Sequence, residues 1–188
     1  MSRFRQLALA TSFTTVMAVS APLAEAQESA GSETLTEEDV AMLIMGAQQQ
    51  LIRLSEKATE EYQEVLREDT PHLPAAWMLM KDGKTVKRLN ISGQADTIPA
   101  AAKIKMYRVA IKSIAQRGQI NAAAILYTGR VNEQSSEQVM VIEHEHRLGV
   151  SANKVIGYRL QNGQVFWAEP VTQTKPFEWF YDGTKSDS

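Results

Sequence analysis

The chain has 188 residues, a formal net charge of −2, a pI near 6.0 and no cysteine. This length fits one domain, because a single hydrophobic core typically serves roughly 100–200 residues. The near-neutral charge argues against nucleic acid as the main partner, since nucleic-acid-binding domains usually carry a strongly basic face. Without cysteine, the chain has no disulfides, no thiolate metal sites and no cysteine nucleophile.

Residues 1–26 have the pattern of a cleaved export signal. Arg3 and Arg5 are followed by an uncharged, mostly apolar run, which ends at the small-x-small sequence Ala24-Glu25-Ala26. An uncleaved membrane anchor is the alternative, but serine and threonine interrupt the run, whereas a spanning helix needs about 20 predominantly apolar residues. We therefore expect a mature chain without a transmembrane segment, soluble and periplasmic or secreted by a bacterial type of export.

The mature chain begins with small polar residues, so residues 27–35 predict a flexible lead-in. Apolar residues at helical spacing then predict a long first helix from Thr36 to about residue 68, with Thr36 and Asp39 resembling a capping box. Residues 40–47 are apolar on all sides, whereas the second half of the helix has one apolar stripe. We therefore expect the sheet to cover the start of this helix and solvent to reach its end.

The rest of the chain predicts a hairpin, a second helix and further strands. Asp82-Gly83 separates two apolar runs and predicts the hairpin turn. The second helix covers residues 99–117, with Asp96 or Thr97 as its cap and Gly118 just beyond its end. The predicted buried stripe of this helix consists of Ile104, Tyr107, Ile111 and Ile114. The predicted solvated side carries the basic residues Lys103, Lys105, Arg108, Lys112 and Arg117.

The predicted strands cover residues 75–80, 85–91, 122–131, 138–150, 154–161 and 164–171, and Asn162-Gly163 forms the last tight turn. The order is helix, hairpin, helix and then a three- to four-stranded antiparallel meander. It predicts an α+β fold with a single, mostly antiparallel sheet and the helices on one face. One domain over 36–181 and a disordered tail over 182–188 complete the predicted organisation.

Glu143-His144-Glu145-His146 forms part of the long predicted strand and carries the most suggestive chemistry. Side chains alternate between the two faces of a strand, so His144 and His146 share one face and lie roughly 7 Å apart. Such a pair can bind zinc or copper, with His72 as a possible third ligand. The alternatives are an exposed margin of the sheet, without a metal, and a pH-sensitive patch.

The carboxylates of the same strand are a second candidate. Glu143 and Glu145 share the other face and could act as a general acid and base. The alternative is a solvated face on which they pair with Lys154 or Arg159. Ser151 and Lys154 match the Ser-x-x-Lys string of penicillin-recognising enzymes, but they lie between two predicted strands and favour a hairpin turn.

The apolar start of the first helix and the aromatic tail are candidate interaction surfaces. Met42, Met45, Trp179 and Tyr181 are residue types that are enriched at protein interfaces. The alternative is burial within the domain, by the sheet for the helix start and at a sheet edge for the tail. Trp167, Trp179 and Tyr181 together are a further alternative, a flat platform for sugars.

The leading hypothesis is an exported, non-catalytic domain that binds a protein, an envelope component or a second copy of itself. Its basis is that apolar surface is concentrated in one helix and the tail, while the sequence shows no catalytic motif. One alternative is a metal-binding protein or metal-dependent hydrolase centred on His144 and His146. A second is a small-ligand binder with a pocket between helix 99–117 and the sheet.

Overall fold

A computed structural model describes residues 35–67, 72–91, 98–131 and 137–181 of the chain. The predicted export signal, the lead-in up to residue 34, the candidate caps Asp96 and Thr97 and the predicted tail lie outside the described residues. In chain order the elements are α1 (Glu37–Arg67), β1 (Ala75–Met80), β2 (Val86–Leu89), α2 (Ala100–Gln116), β3 (Ile120–Arg130), β4 (Gln138–His146), β5 (Val150–Gln161), β6 (Gln164–Trp167) and β7 (Val171–Thr174).

The strands form one antiparallel sheet in the order β2-β1-β3-β4-β5-β6, with β7 also paired to β5. The predicted α+β class is confirmed, with one more strand after α2 than expected. The extra strand arises because the last predicted strand is divided. Trp167 of β6 lies opposite Tyr158, Val171 of β7 lies opposite Val155, and the intervening stretch holds one more residue than the stretch of β5 beside it.

The two helices lie on opposite faces of the sheet, so the prediction that both lie on one face is wrong. Trp77 and Ala124 pack with α1, and their chain neighbours Ala76 and Ala123 pack with α2. The physical reason is that β1 and residues 122–127 of β3 are continuous apolar runs. Such strands need cover on both faces, whereas a strand with one solvated face alternates between apolar and polar residues.

Helix α1 begins with the predicted capping box, since Thr36 Oγ1 accepts the Asp39 N–H at 3.2 Å and Asp39 Oδ2 accepts the Thr36 N–H at 3.0 Å. Its burial is the reverse of the expected pattern. The residues buried against the sheet run from Ala47 to Leu66, while the apolar start of the helix is exposed. Burial begins at Ala47, and the side chain of Gln50 is the first for which a hydrogen bond to a strand is seen, since its Oε1 accepts from Asn121 Nδ2 of β3 at 3.2 Å, so the first turns of the helix extend beyond the sheet.

The turn between β4 and β5 lies at residues 147–149, earlier than predicted. Gly149 has a φ of +84° and its N–H donates to His146 O at 3.0 Å, so a glycine makes this turn possible. Ser151 and Lys154 therefore lie within β5, and their predicted hairpin turn is wrong. The tight turn at Asn162-Gly163 is confirmed, with φ values of 54° and 75° that suit a primed hairpin turn.

Helix α2 covers the predicted range, but its buried stripe is rotated toward Lys103 and Ala115. These two residues are buried together with Tyr107 and Ile111, while Ile104 and Ile114 are half-buried. The predicted solvated basic side is therefore wrong for Lys103. Within the described ranges, no helix combines the length and the apolar character needed to cross a membrane.

Candidate functional site

The histidines of β4 lie on the α1 face of the sheet, and the carboxylates of Glu143 and Glu145 lie on the α2 face, as the alternation predicts. His144 and His146 are both buried, His146 with only 1% of its surface exposed. The alternative prediction, that the two histidines lie at an exposed margin of the sheet, is therefore wrong. The reason is that α1 continues past this end of β4, where its Gln50 side chain meets His146.

Both ring nitrogens of His146 have partners. Its Nδ1 accepts the Leu148 N–H at 3.1 Å, so the proton belongs on Nε2, which lies 3.1 Å from Gln50 Oε1. Gln50 Oε1 also accepts a hydrogen bond from Asn121 Nδ2 at 3.2 Å. The buried Nδ1 of His144 has no hydrogen-bond partner among the described residues. Any metal bound by this pair would have to displace a partner of His146.

Both histidines are neutral at physiological pH. Burial, followed by the nearby positive charge of Lys154, lowers the pKa of His144 from 6.5 to about 4. Burial, followed by the charge of Arg147, lowers the pKa of His146 to about 4 as well. Removal from water disfavours the charged imidazolium. The two histidines are therefore neutral side chains in the layer between α1 and the sheet, where His146 is hydrogen-bonded at both ring nitrogens.

His72 is not placed to be a third metal ligand. Its Nδ1 lies 3.3 Å from the hydroxyl of Tyr158, which is opposite Gln138 at the start of β4. Six residues of strand separate Gln138 from His144, a distance of roughly 20 Å. Over the described ranges, no three histidine or acidic side chains are arranged to hold a metal ion. The metal hypothesis is left with two histidines.

Glu143 and Glu145 hold structure together on the α2 face. Arg108 of α2 binds the Glu143 carboxylate with two nitrogens, Nε to Oε1 at 3.1 Å and Nη2 to Oε2 at 2.7 Å. Glu145 pairs with Lys175 and accepts the backbone N–H groups of two further residues, Glu178 at 3.0 Å and Trp179 at 2.8 Å. These partners differ from the predicted Lys154 and Arg159, because Lys154 lies opposite Ile142 and faces α1.

The C-terminal segment, residues 175–181, closes the α2 face. Trp179 is 1% exposed and packs into the cluster that includes Tyr107 and Ile125. Lys175 Nζ lies 4.6 Å from the centre of the Trp179 ring, and Tyr181 donates its hydroxyl hydrogen to Arg147 O at 2.9 Å. In this arrangement Trp179 is not available to a partner, whereas the Tyr181 side chain is exposed.

The proposed sugar platform is not assembled. Trp167 of β6 lies on the α1 face, next to Tyr158, with 5.9 Å between the ring centres. Trp179 and Tyr181 belong to the C-terminal segment on the α2 face. The three aromatic side chains therefore do not share one surface.

Among the described residues, the start of α1 carries more exposed large apolar side chains than any other single element. From Val40 to Ile52 the helix carries no charge, and we call residues 40–52 the uncharged segment. Met42 and Met45 are each 59% exposed, and Ile52 is 52% exposed. The other large apolar side chains that are exposed here are Val40, Leu43 and Ile44. The uncharged segment therefore keeps two of the four predicted interaction residues on an open surface.

A cavity of about 910 Å³ lies at the opposite end of α1, beside the β5–β6 hairpin. Tyr158 donates its hydroxyl hydrogen to Gln138 Oε1 at 2.5 Å in its wall. Its other walls include His72, Leu66 and Trp167. Among the described residues, the space between α2 and the sheet, where the sequence predicted a pocket, holds a packed cluster that includes Tyr107, Ile111, Ile125, Trp179 and Phe180.

Sequence reasoning missed Gln50, Lys175 and this cavity. Gln50 lies in a run of three glutamines that looks like solvated helix, and Lys175 lies in a polar stretch that looks like a tail. The sequence does contain a signal that points to a partner such as Lys175. Glu143 and Glu145 lie on an apolar strand, and buried carboxylates require a cation or N–H donors. No signal for the cavity exists, because hydrophobic periodicity is the same for a filled and an open core.

Comparisons of the chain with protein-family models, with curated proteins and with solved structures give no match.

Proposed function

We propose that this protein is an exported interaction module that binds a protein partner through the uncharged segment of α1. The observation that carries the proposal is the exposure of this segment, where six large apolar side chains face solvent. Five of them lie between Val40 and Met45, and the sixth is Ile52. A helix that is apolar on all sides is normally buried, so covering it releases free energy. Exposed contiguous apolar surface of this kind marks interaction sites.

The chemistry of the segment fits a protein better than a membrane surface. Helices that lie on membranes usually present lysine and arginine on their polar face. Here the first turn is acidic, with Glu37, Glu38 and Asp39, and the polar positions that follow are glutamines. Methionine side chains are flexible and adapt to the shape of a protein groove. Met42 and Met45 are therefore suited to the centre of a protein–protein contact.

The contacts of the two β4 carboxylates, Glu143 and Glu145, support a structural role for both. Glu143 is engaged by Arg108, and Glu145 holds the C-terminal segment through Lys175 and backbone N–H groups. A general acid or base must be within reach of the proton that it transfers. Both carboxylates are buried under protein groups, which favours a binding function over hydrolysis at this strand.

Export is proposed from the sequence pattern of residues 1–26 and is tested first. The mature protein recovered from the exporting cell is expected to begin at Gln27, by mass spectrometry of its N-terminal peptide. A protein that retains residues 1–26 would contradict the export proposal, and the interaction proposal would then apply to the uncleaved chain.

Photocrosslinking in the producing cell tests the interaction. A photoreactive benzoylphenylalanine replaces Met45 in one variant and Glu60 in the control, since both side chains are exposed on α1 but Glu60 lies outside the uncharged segment. We expect a discrete protein adduct from position 45 and at least tenfold less from position 60. Equal adduct formation at the two positions, or none at position 45, would refute the proposal.

The cavity beside the β5–β6 hairpin supports a second candidate function, the binding of a small molecule. Its volume of about 910 Å³ lies in the range of ligand pockets, and it combines aromatic walls with the polar groups of Tyr158, Gln138 and His72. Native mass spectrometry of the exported protein is expected to show a bound small molecule that Trp167→Ala releases and Val109→Ala retains. An unmodified mass for the wild-type protein would reject this candidate.

A further inference from the structure

We infer that the partner of the uncharged segment is a second copy of this chain, packed antiparallel about a two-fold axis near Met45. The inference rests on the proposed function and goes beyond it by naming the partner and the geometry. Closed two-fold dimers are the commonest assemblies, and in them the same surface of each copy meets itself. The uncharged segment must therefore fit, in shape and in flanking charge, the same segment of a second copy that runs in the opposite direction.

The charges that flank the segment meet this condition. Glu37, Glu38 and Asp39 precede it, and Arg53 follows it. In an antiparallel pair the acidic turn of each copy lies beside Arg53 of the other, so opposite charges meet at both ends. A parallel pair would instead bring two acidic turns together. The order of charges along the helix thus favours the antiparallel arrangement, and like charges disfavour the alternative.

The exposed side chains have the spacing that a helix pair needs. Met42, Met45, Gln49 and Ile52 follow one another at intervals of three or four residues, which places them in one stripe along the helix. All four are exposed, whereas the stripe packed on the sheet runs through Ala47, Leu51 and Leu54. The helix therefore has a second apolar stripe that its own domain leaves open.

The antiparallel register follows from the stripe and the charges together. When Glu38 lies beside the Arg53 of the second copy, Met42 lies beside its Gln49, and the Met45 side chains of the two copies meet near the axis. Met45 then contacts the Met45 of the second copy, and Met42 contacts the methylene groups of the Gln49 side chain of the second copy. The pair covers the centre of the uncharged segment, where Met42 and Met45 are each more than half exposed.

Single cysteines test this register, because the chain has no cysteine of its own. A short bismaleimide is added to the mature exported protein carrying Met45→Cys, Met42→Cys, Gln49→Cys or, as the control, Glu60→Cys. We expect Met45→Cys to give at least tenfold more crosslinked dimer than Glu60→Cys. Met42→Cys and Gln49→Cys should crosslink when mixed with each other and much less when each is alone.

Each other outcome overturns the inference. Stronger crosslinking of Met42→Cys with itself than with Gln49→Cys would show a parallel pair. Monomeric products from all four variants, together with a monomeric wild-type mass in native mass spectrometry, would exclude a second copy as the partner. If photocrosslinking at position 45 then captures a different protein, the interaction function stands without self-association. If position 45 captures nothing, the proposed function fails as well.

Discussion

At the scale of single residues, one buried carboxylate holds the C-terminal segment against the sheet. Glu145 is fully buried on the α2 face, near the end of β4, and it accepts the N–H groups of Glu178 and Trp179 while pairing with Lys175. Taking a carboxylate out of water is costly unless hydrogen bonds and a cation replace its hydration. The C-terminal segment supplies both, which is why a stretch that resembles a tail in sequence is ordered against the sheet.

Replacing Glu145 by glutamine is expected to destabilise the domain by about 3 kcal/mol, because it leaves the buried ammonium of Lys175 without its nearest anion. Urea unfolding measures this loss, and hydrogen exchange of the Trp179 amide should become faster. The double variant Glu145→Gln/Lys175→Met is the control, and it should recover part of the loss because it removes both charges. Unchanged exchange at Trp179 in Glu145→Gln would contradict this account of the segment.

The two buried histidines predict how stability depends on pH. Burial holds the pKa of both His144 and His146 near 4, below the value of 6.5 for an exposed imidazole. Between these values the unfolded chain binds more protons than the native protein, so stability is complete above pH 6.5 and is lost as the pH falls toward 4. The expected loss is about 2 kcal/mol for each histidine between pH 7 and pH 5.

Urea unfolding at pH 7, 6 and 5 measures this dependence. The variant His146→Gln removes one titrating group while keeping a side chain that can bond Gln50, so its loss of stability over the same range should be about half. A wild-type free energy of unfolding that stays constant or rises from pH 7 to pH 5 would show that the histidines are not buried as neutral groups.

At the scale of elements, the two halves of α1 have different surroundings. Its second half packs on β1 and β3 through Leu54 and Leu66, whereas its uncharged start extends past the sheet. The sequence predicted the helix and its capping box, because periodicity and caps are local signals. It could not predict which half the sheet covers, since an all-apolar helix start is equally suited to a core and to an interface.

Two alanine substitutions measure this division of the helix. Leu54→Ala is expected to reduce the free energy of unfolding by about 3 kcal/mol, because it opens a cavity in the core. Met45→Ala should change it by less than about 0.5 kcal/mol in the monomer, because that side chain is already in water. Both values come from urea unfolding at a protein concentration at which the monomer prevails. A large loss for Met45→Ala would indicate that the domain itself buries the start of the helix.

At the scale of the whole molecule, the described residues form three layers, α1, the sheet, and α2 with the C-terminal segment. The sequence contained a signal for this arrangement, because Ala75–Met80 is a continuous apolar run without alternation. Which helix covers which face of the sheet is nevertheless determined by the path of the chain between the elements. The partners of Glu143 and Glu145 depend on that path, since Arg108 and Lys175 are distant in sequence and reach the strand from other elements.

The proposed function requires that a protein covers the uncharged segment in the compartment where the molecule works. The most direct measurement is the reaction of Met45→Cys with a membrane-impermeant maleimide inside the compartment to which the protein is exported, compared with Glu60→Cys on the same helix. We predict that Cys at position 45 is labelled at least fivefold more slowly than Cys at position 60, and that both react equally after denaturation. Equal labelling of the two positions in the native compartment would contradict the account, because it would show that the segment stays in water.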